Sequence, residues 1–138
     1  MSESFVADCS VGVGWVHPSQ ATELTKELLE LAKKGVAVHV PALRHLEVAN
    51  ALLVAVRRKL MSEPQRETGL TLLSQLRLIV DNETSRFAFS TISELAVKHS
   101  LSIYDAAYLE LARRKSVPLG TRDEPMKAAA KKAGIKIL

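Results

Sequence analysis

QATELTKELLELAKKGVAVHVPALRHLEVANALLVAVRRKL, residues 20–60, reads as helix, strand and helix in immediate succession. From Gln20 to Lys34 the apolar residues Leu24, Leu28, Leu31 and Ala32 fall on one helical face. Gly35 follows at the position where a chain leaves a helix with positive φ, which costs a residue without Cβ little. Val36-Ala37-Val38-His39-Val40 is a short, largely β-branched run closed by Pro41, and it predicts a buried strand. Leu43 to Leu60 is again helical and rich in Leu, Val and Ala. A buried strand between two helices, joined by connections of a few residues, predicts a parallel sheet covered by helices.

The same alternation continues in both directions. Upstream, Ser4 to Ala7 predicts a strand and Ser10 to Val16 a short helix ended by Pro18. Downstream come a helix from Pro64 to Leu76, a strand at Leu78-Ile79-Val80, and two helices at Ser85 to His99 and Ile103 to Lys115. A strand at Val117 to Gly120, a helix from Glu124 to Ala133 stopped by Gly134, and a strand at Ile135 to Leu138 complete the pattern. The expected fold is α/β, a three-layer α/β/α sandwich on a five-stranded, mainly parallel sheet, with residues 1–138 forming one domain.

Composition narrows the function classes. Apolar content of 47% and charged content of 25% are those of an ordinary globular protein. The single cysteine, Cys9, excludes an intramolecular disulfide and fits a reducing compartment. Met1 to Phe5 lacks the basic start and apolar run of a leader, and the longest apolar stretch, Val48 to Val56, contains Asn50 and is too short to span a bilayer. A cytoplasmic location without membrane attachment is therefore expected. Gly12 and Gly14 lack the further glycines of a phosphate-binding loop, and His17, His39, His45 and His99 show no ligand spacing. Net charge is +4, with basic clusters at Arg57-Arg58-Lys59, Arg113-Arg114-Lys115 and Lys127 to Lys132. Such clusters suit helix C-termini through the macrodipole, and they also suit a phosphate backbone.

Four acids stand out because each abuts an apolar run: Asp8 after Phe5-Val6-Ala7, Glu47 between Leu46 and Val48, Asp105 after Ile103-Tyr104, and Asp123 shortly after Val117-Pro118-Leu119. Asp8 and Asp123 follow strands, while Glu47 and Asp105 sit in the first turns of helices. In a parallel sheet all four positions lie along the rim at the carboxyl ends of the strands. Each also has a plain structural account: Asp8, Asp105 and Asp123 as helix caps or first-turn acids, Glu47 as a solvent-facing helical residue. Four carboxylates at one rim repel, and a divalent cation removes that penalty. All-oxygen ligands without a Cys/His cluster favour Mg²⁺ or Mn²⁺.

With these motifs in place the chain resembles the PIN domains, and most of all the VapC-type ribonuclease toxins of toxin–antitoxin pairs. The resemblance is carried by Val6-Ala7-Asp8-Cys9-Ser10, by Pro41 to Leu52 with Glu47 three residues before Asn50, by Leu101 to Ala112 around Tyr104-Asp105-Ala106-Ala107-Tyr108, and by Thr121-Arg122-Asp123. It implies a Mg²⁺- or Mn²⁺-dependent endoribonuclease whose metal-binding and catalytic set is Asp8, Glu47, Asp105 and Asp123. Ser10, Asn50 and Thr121 have the chemistry to fix those carboxylates by hydrogen bonds, and Arg122 suits either a phosphate or a structural contact. An RNA substrate, a homodimer and a cognate antitoxin protein are the implied partners. The sequence departs from the common pattern at Cys9 and Gly120, where small Ala or Thr and Ala are frequent. A PIN-like scaffold that binds RNA or protein without cutting is the alternative. A haloacid-dehalogenase-like phosphatase is disfavoured because Ser10 stands where a second aspartate would be required.

Overall fold

The structure, a computed structural model, describes residues 4–138; Met1 to Glu3, part of the stretch searched for a leader, lie outside them. Strand β1 (Phe5–Ala7) leads into helix α1 (Cys9–Val16), a turn of 3₁₀ helix at Pro18–Gln20, and α2 (Glu23–Lys33). Next come β2 (Val38–Pro41), α3 (Arg44–Arg57), α4 (Glu63–Gln75), β3 (Leu78–Asp81) and α5 (Thr84–Phe87). A π-helical turn at Ala88–Ile92 joins α5 to α6 (Ser93–His99), followed by α7 (Ile103–Lys115), β4 (Leu119–Gly120) and α8 (Glu124–Lys132).

The sheet order is β3-β2-β1-β4, all parallel. β1 explains the layering in three residues. Phe5 and Ala7 face a core shared with Val11, Trp15 and Leu28 from α1 and α2, whereas Val6 faces a core built from α6, α7 and α8. All three are buried, as a strand covered on both faces requires. A third cluster, Val48, Leu52, Ala55 and Met61, packs α3 near α1 and α4. The expected α/β/α sandwich is thus the observed one.

Local signals act where the sequence places them. Gly35 has φ +92°, and its amide bonds the Ala32 carbonyl while Val36 reaches Leu31, a two-bond helix ending. Thr22 with Thr25 and Ser62 with Gln65 close reciprocal caps on α2 and α4. Two expectations are corrected. The fifth strand is absent: β4 has only two residues, so Leu119 alone offers outward hydrogen bonds, to Lys136 and Leu138, and Ile137 makes a single parallel bridge. The helix expected at Ser85–His99 is interrupted by the π turn, where the Ser93 hydroxyl donates to the Ala88 carbonyl at 2.6 Å. Among the described residues no helix is long and apolar enough to cross a membrane.

The chain winds outward from β1 to β2 and β3, then returns to add β4 on the other side of β1. The loops leaving β1 and β4 therefore diverge at a topological switch point, where a crevice opens at the carboxyl ends of the strands.

Candidate active site

Asp8 is the first residue past β1 and is only 4% exposed. Its Oδ1 accepts from the Ser10 hydroxyl at 2.6 Å and from the Val11 amide at 3.2 Å, and its Oδ2 accepts from the Thr121 hydroxyl. Asp8 thus caps α1 and is also tied to the segment after β4. Thr121 Oγ1 accepts from the Asp123 amide at 3.0 Å, and Ser10 Oγ accepts from the Arg122 amide at 3.0 Å. Two hydroxyls therefore lock the loops after β1 and β4 together across the switch point. Asp123 occupies the N-cap position of α8 but its side chain makes no capping bond, so its carboxylate is not used by the helix.

Glu47 lies in the first turn of α3, and its Oε1 accepts from the Tyr108 hydroxyl at 2.6 Å. Tyr108 is fully buried on α7, so this bond holds the acid against the rim. Asp105 is half-buried in the first turn of α7, where the Ser102 hydroxyl accepts from its amide.

The charges of these acids act on one another. Burial pushes Asp8 above the usual carboxylate value, against hydrogen bonds from Ser10, Thr121 and Val11. Burial also raises Glu47, despite the Tyr108 bond, with Asp105 and Asp8 adding to the rise. Asp105 is raised by burial and then by the charges of Asp123 and Asp8. No ion pair within 4.0 Å engages any of the four among the described residues. Asp81 provides the contrast. It too ends a strand and is buried, yet Arg114 grips it at 3.1 and 2.5 Å and Thr84 donates to it at 2.9 Å. Burial pushes Asp81 up, but those bonds and the Arg114 charge outweigh it and leave the acid below its usual value. One rim carries a structural acid paired with Arg114 and four acids without a paired cation among the described residues.

Arg44, buried at the start of α3, is the cation whose charge acts on Asp8 and Glu47. Its Nη1 donates to the Ala7 carbonyl at 2.7 Å, and its guanidinium lies 5.8 Å from the Trp15 ring. Sequence reasoning gave neither Arg44, Tyr108 nor Asp81 a role. Tyr108 was visible within the Tyr104–Tyr108 motif, but a buried partner for Arg44 had no sequence signal. Asn50 stands apart from its expected role, and Arg122 takes the structural one of its two. Asn50 is exposed and bonds none of the four carboxylates. Arg122 turns inward, donating to the Ser10 carbonyl at 3.3 Å and to Gln20 at 2.8 Å, with its Nε buried. Cys9 is held to about 11 by burial and then by the Glu47 charge, which removes it as a nucleophile.

No group of three His, Cys, Asp or Glu side chains among the described residues stands close enough to hold an ion in the arrangement observed. The donor chemistry itself fits a hard divalent cation: carboxylates only, three raised by burial, with neighbouring acids adding to the rise at Glu47 and Asp105.

A family model described as PIN domain matches residues 5–132. The chain belongs to the PIN domain family. Among curated relatives of this PIN domain, Ribonuclease VapC3 of Pyrobaculum aerophilum is 27% identical over 121 residues, 88% of this chain and 90% of the relative. Solved structures share the fold. PAE2754 of Pyrobaculum aerophilum aligns with a TM-score of 0.68 at 20% identity, covering 92% of this chain and 79% of that one. VapBC2 of Rickettsia felis, solved bound to a DNA fragment from its promoter, aligns with a TM-score of 0.64 at 15% identity over 98% and 97% of the two chains. FitAcB of Neisseria gonorrhoeae gives 0.60 at 17% identity over 97% and 96%.

Proposed function

We propose that this chain, as one domain, is a Mg²⁺- or Mn²⁺-dependent endoribonuclease and the toxin of a VapBC-type pair. The observation that carries this reading is the set of four carboxylates at the β1/β4 switch point, three raised by burial and none in an ion pair among the described residues, beside a buried Asp81 that Arg114 pairs. Similarity to Ribonuclease VapC3 supports the substrate class, and the VapBC2 and FitAcB folds support a partnered toxin.

Asp8, Asp105 and Asp123 would hold the cation, with Glu47 binding it or orienting water. When bound, the cation offsets charge on the scissile phosphate and lowers the pKa of water. The chain's own contribution is positioning. Ser10, Val11 and Thr121 keep both Asp8 oxygens fixed, and Tyr108 aims Glu47. Hydrolysis forms one P–O bond from water and breaks another, with the leaving oxygen taking a proton. Exposed Leu46, Phe89 and Val97 supply apolar surface for a homodimer or for an antitoxin.

A non-cleaving RNA- or protein-binding scaffold is the second reading, favoured by the absence of a ready three-acid grip among the described residues. Purified protein, freed of any inhibitor, incubated with structured RNAs and Mn²⁺ separates the two. Cleavage by wild type and its loss in Asp8→Asn and Asp105→Asn is expected. Equal activity in those variants, or none in wild type, would overturn the nuclease reading.

A further inference from the structure

Arg44 is placed at several disadvantages. It is 1% exposed, it opens α3 where the helix dipole disfavours a cation, and no carboxylate among the described residues pairs with it. The β ladder explains why the position nevertheless takes an arginine. Phe5 lies opposite Val38 and Val6 opposite His39, and the Phe5 amide donates to the Ala37 carbonyl at 3.3 Å. In a parallel ladder alternate residues bond to the two neighbours of their partner. Ala7, opposite Val40, is therefore due to accept from the amide of residue 41. That residue is Pro41, which has no N–H. The carbonyl at the end of β1, on a residue that is fully buried, is left without its ladder donor, and Arg44 Nη1 donates to it instead at 2.7 Å.

The slot is shaped for this. A Cβ on Gly12 would lie 2.1 Å from Arg44 Nη2, so a side chain there would displace the guanidinium from its place beneath α1, and the Trp15 ring lies 5.8 Å from it.

We propose that Arg44 is a positioning residue: its guanidinium supplies the hydrogen bond that Pro41 withholds and fixes the end of β1 from which Asp8 projects. The catalytic consequence rests on the nuclease reading; the ladder substitution does not.

The test is a cycle of Arg44→Met, Pro41→Ala and the double variant, with Arg44→Lys as the conservative change. Arg44→Met is expected to lower Tm by about 10 °C, the loss of a charged hydrogen bond with its acceptor left buried. It should also speed exchange of the Asp8 amide, which bonds Gly120, by about tenfold or more. In the double variant the new residue-41 amide bonds Ala7, so part of both losses returns, and Arg44→Lys falls between Met and wild type. Additive losses, with no recovery on restoring the amide, would overturn the proposal. If Arg44→Met does not fold, the comparison of Arg44→Lys with Pro41→Ala/Arg44→Lys decides it by the same criterion. In RNA cleavage, kcat should fall in Arg44→Met with KM within about threefold and recover in the double variant. Unchanged kcat in a variant with a loosened Asp8 amide refutes the positioning role, whereas absence of cleavage by wild type sinks the nuclease reading alone.

Discussion

Asparagine placed at Asp8 and at Asp81 should move stability in different directions with pH, although both acids are buried at strand ends. Asp81→Asn removes a bidentate ion pair and leaves Arg114, half-buried, with Glu110 as its close partner and Glu83 at 3.6 Å. Losing two charge-assisted hydrogen bonds at a largely buried site costs about 2–4 kcal/mol. For a chain of this length that is a fall of about 7–14 °C in Tm. Asp8→Asn keeps the cap on α1, since Asn caps as well as Asp. It disturbs one contact: Thr121 Oγ1 already accepts from the Asp123 amide and now meets an Nδ2 donor. That loss of about 1 kcal/mol is offset by removing a buried charge that burial disfavours. In EDTA at pH 7 the variant should therefore melt within about 3 °C of wild type.

The pH trends follow from the two shifts. Asp81 is held below its ordinary 3.8, so its stabilisation is present above that value and is lost as pH falls through the lower folded value. The Asp81→Asn deficit thus shrinks below about pH 4. Asp8 is raised above 3.8, so its favourable contribution is present below that pH and is lost as pH rises through the folded value. Asp8→Asn consequently gains on wild type as pH rises. Calorimetric or circular-dichroism melts from pH 3 to 8, all in EDTA, measure both. Equal deficits at pH 7, or parallel pH trends, would refute the distinction between a neutralised acid and one left open.

The same open acids predict that millimolar Mn²⁺ raises Tm, more at pH 8 than at pH 5, and that Asp105→Asn reduces the increment; an equal shift in the variant argues against the site. Tyr108→Phe frees Glu47 from its 2.6 Å bond while preserving the ring, so RNA cleavage should fall about 10–100-fold while Tm changes by a few degrees. Cleavage within twofold of wild type would remove Glu47 orientation from the mechanism. Cys9, pushed up to about 11, should react with iodoacetamide at pH 8 about a hundredfold more slowly than an ordinary thiol; a normal rate would contradict its burial.

What the sequence determined by itself was the order of elements and the edge on which the acids lie. Apolar periodicity marks the helices, β-branched runs mark the strands, and in a parallel sheet strand ends and helix starts share one rim. The caps were equally local: Gly35 and Ser102 act within a few residues of where they stand. The fifth strand was misjudged because Ile135 to Leu138 has strand composition, while strand formation depends on how many hydrogen bonds the neighbouring β4 can offer, and Leu119 offers only its own pair. Asn50 reads as a partner of Glu47 from helical spacing alone, yet Asn50 itself is exposed while Glu47 is half-buried, and spacing does not say where the buried face ends.

Only the tertiary structure separates Asp81 from Asp8, because the difference is Arg114, thirty-three positions from Asp81 in sequence and 2.5 Å away in space. The same holds for Gly120, where a Cβ would meet Leu28 Cδ1 at 2.5 Å, and for Gly12, which makes room for Arg44. A pattern of residue types records what a segment does with its neighbours along the chain. The energy of a buried charge depends on which distant groups reach it, and that is decided when the layers pack.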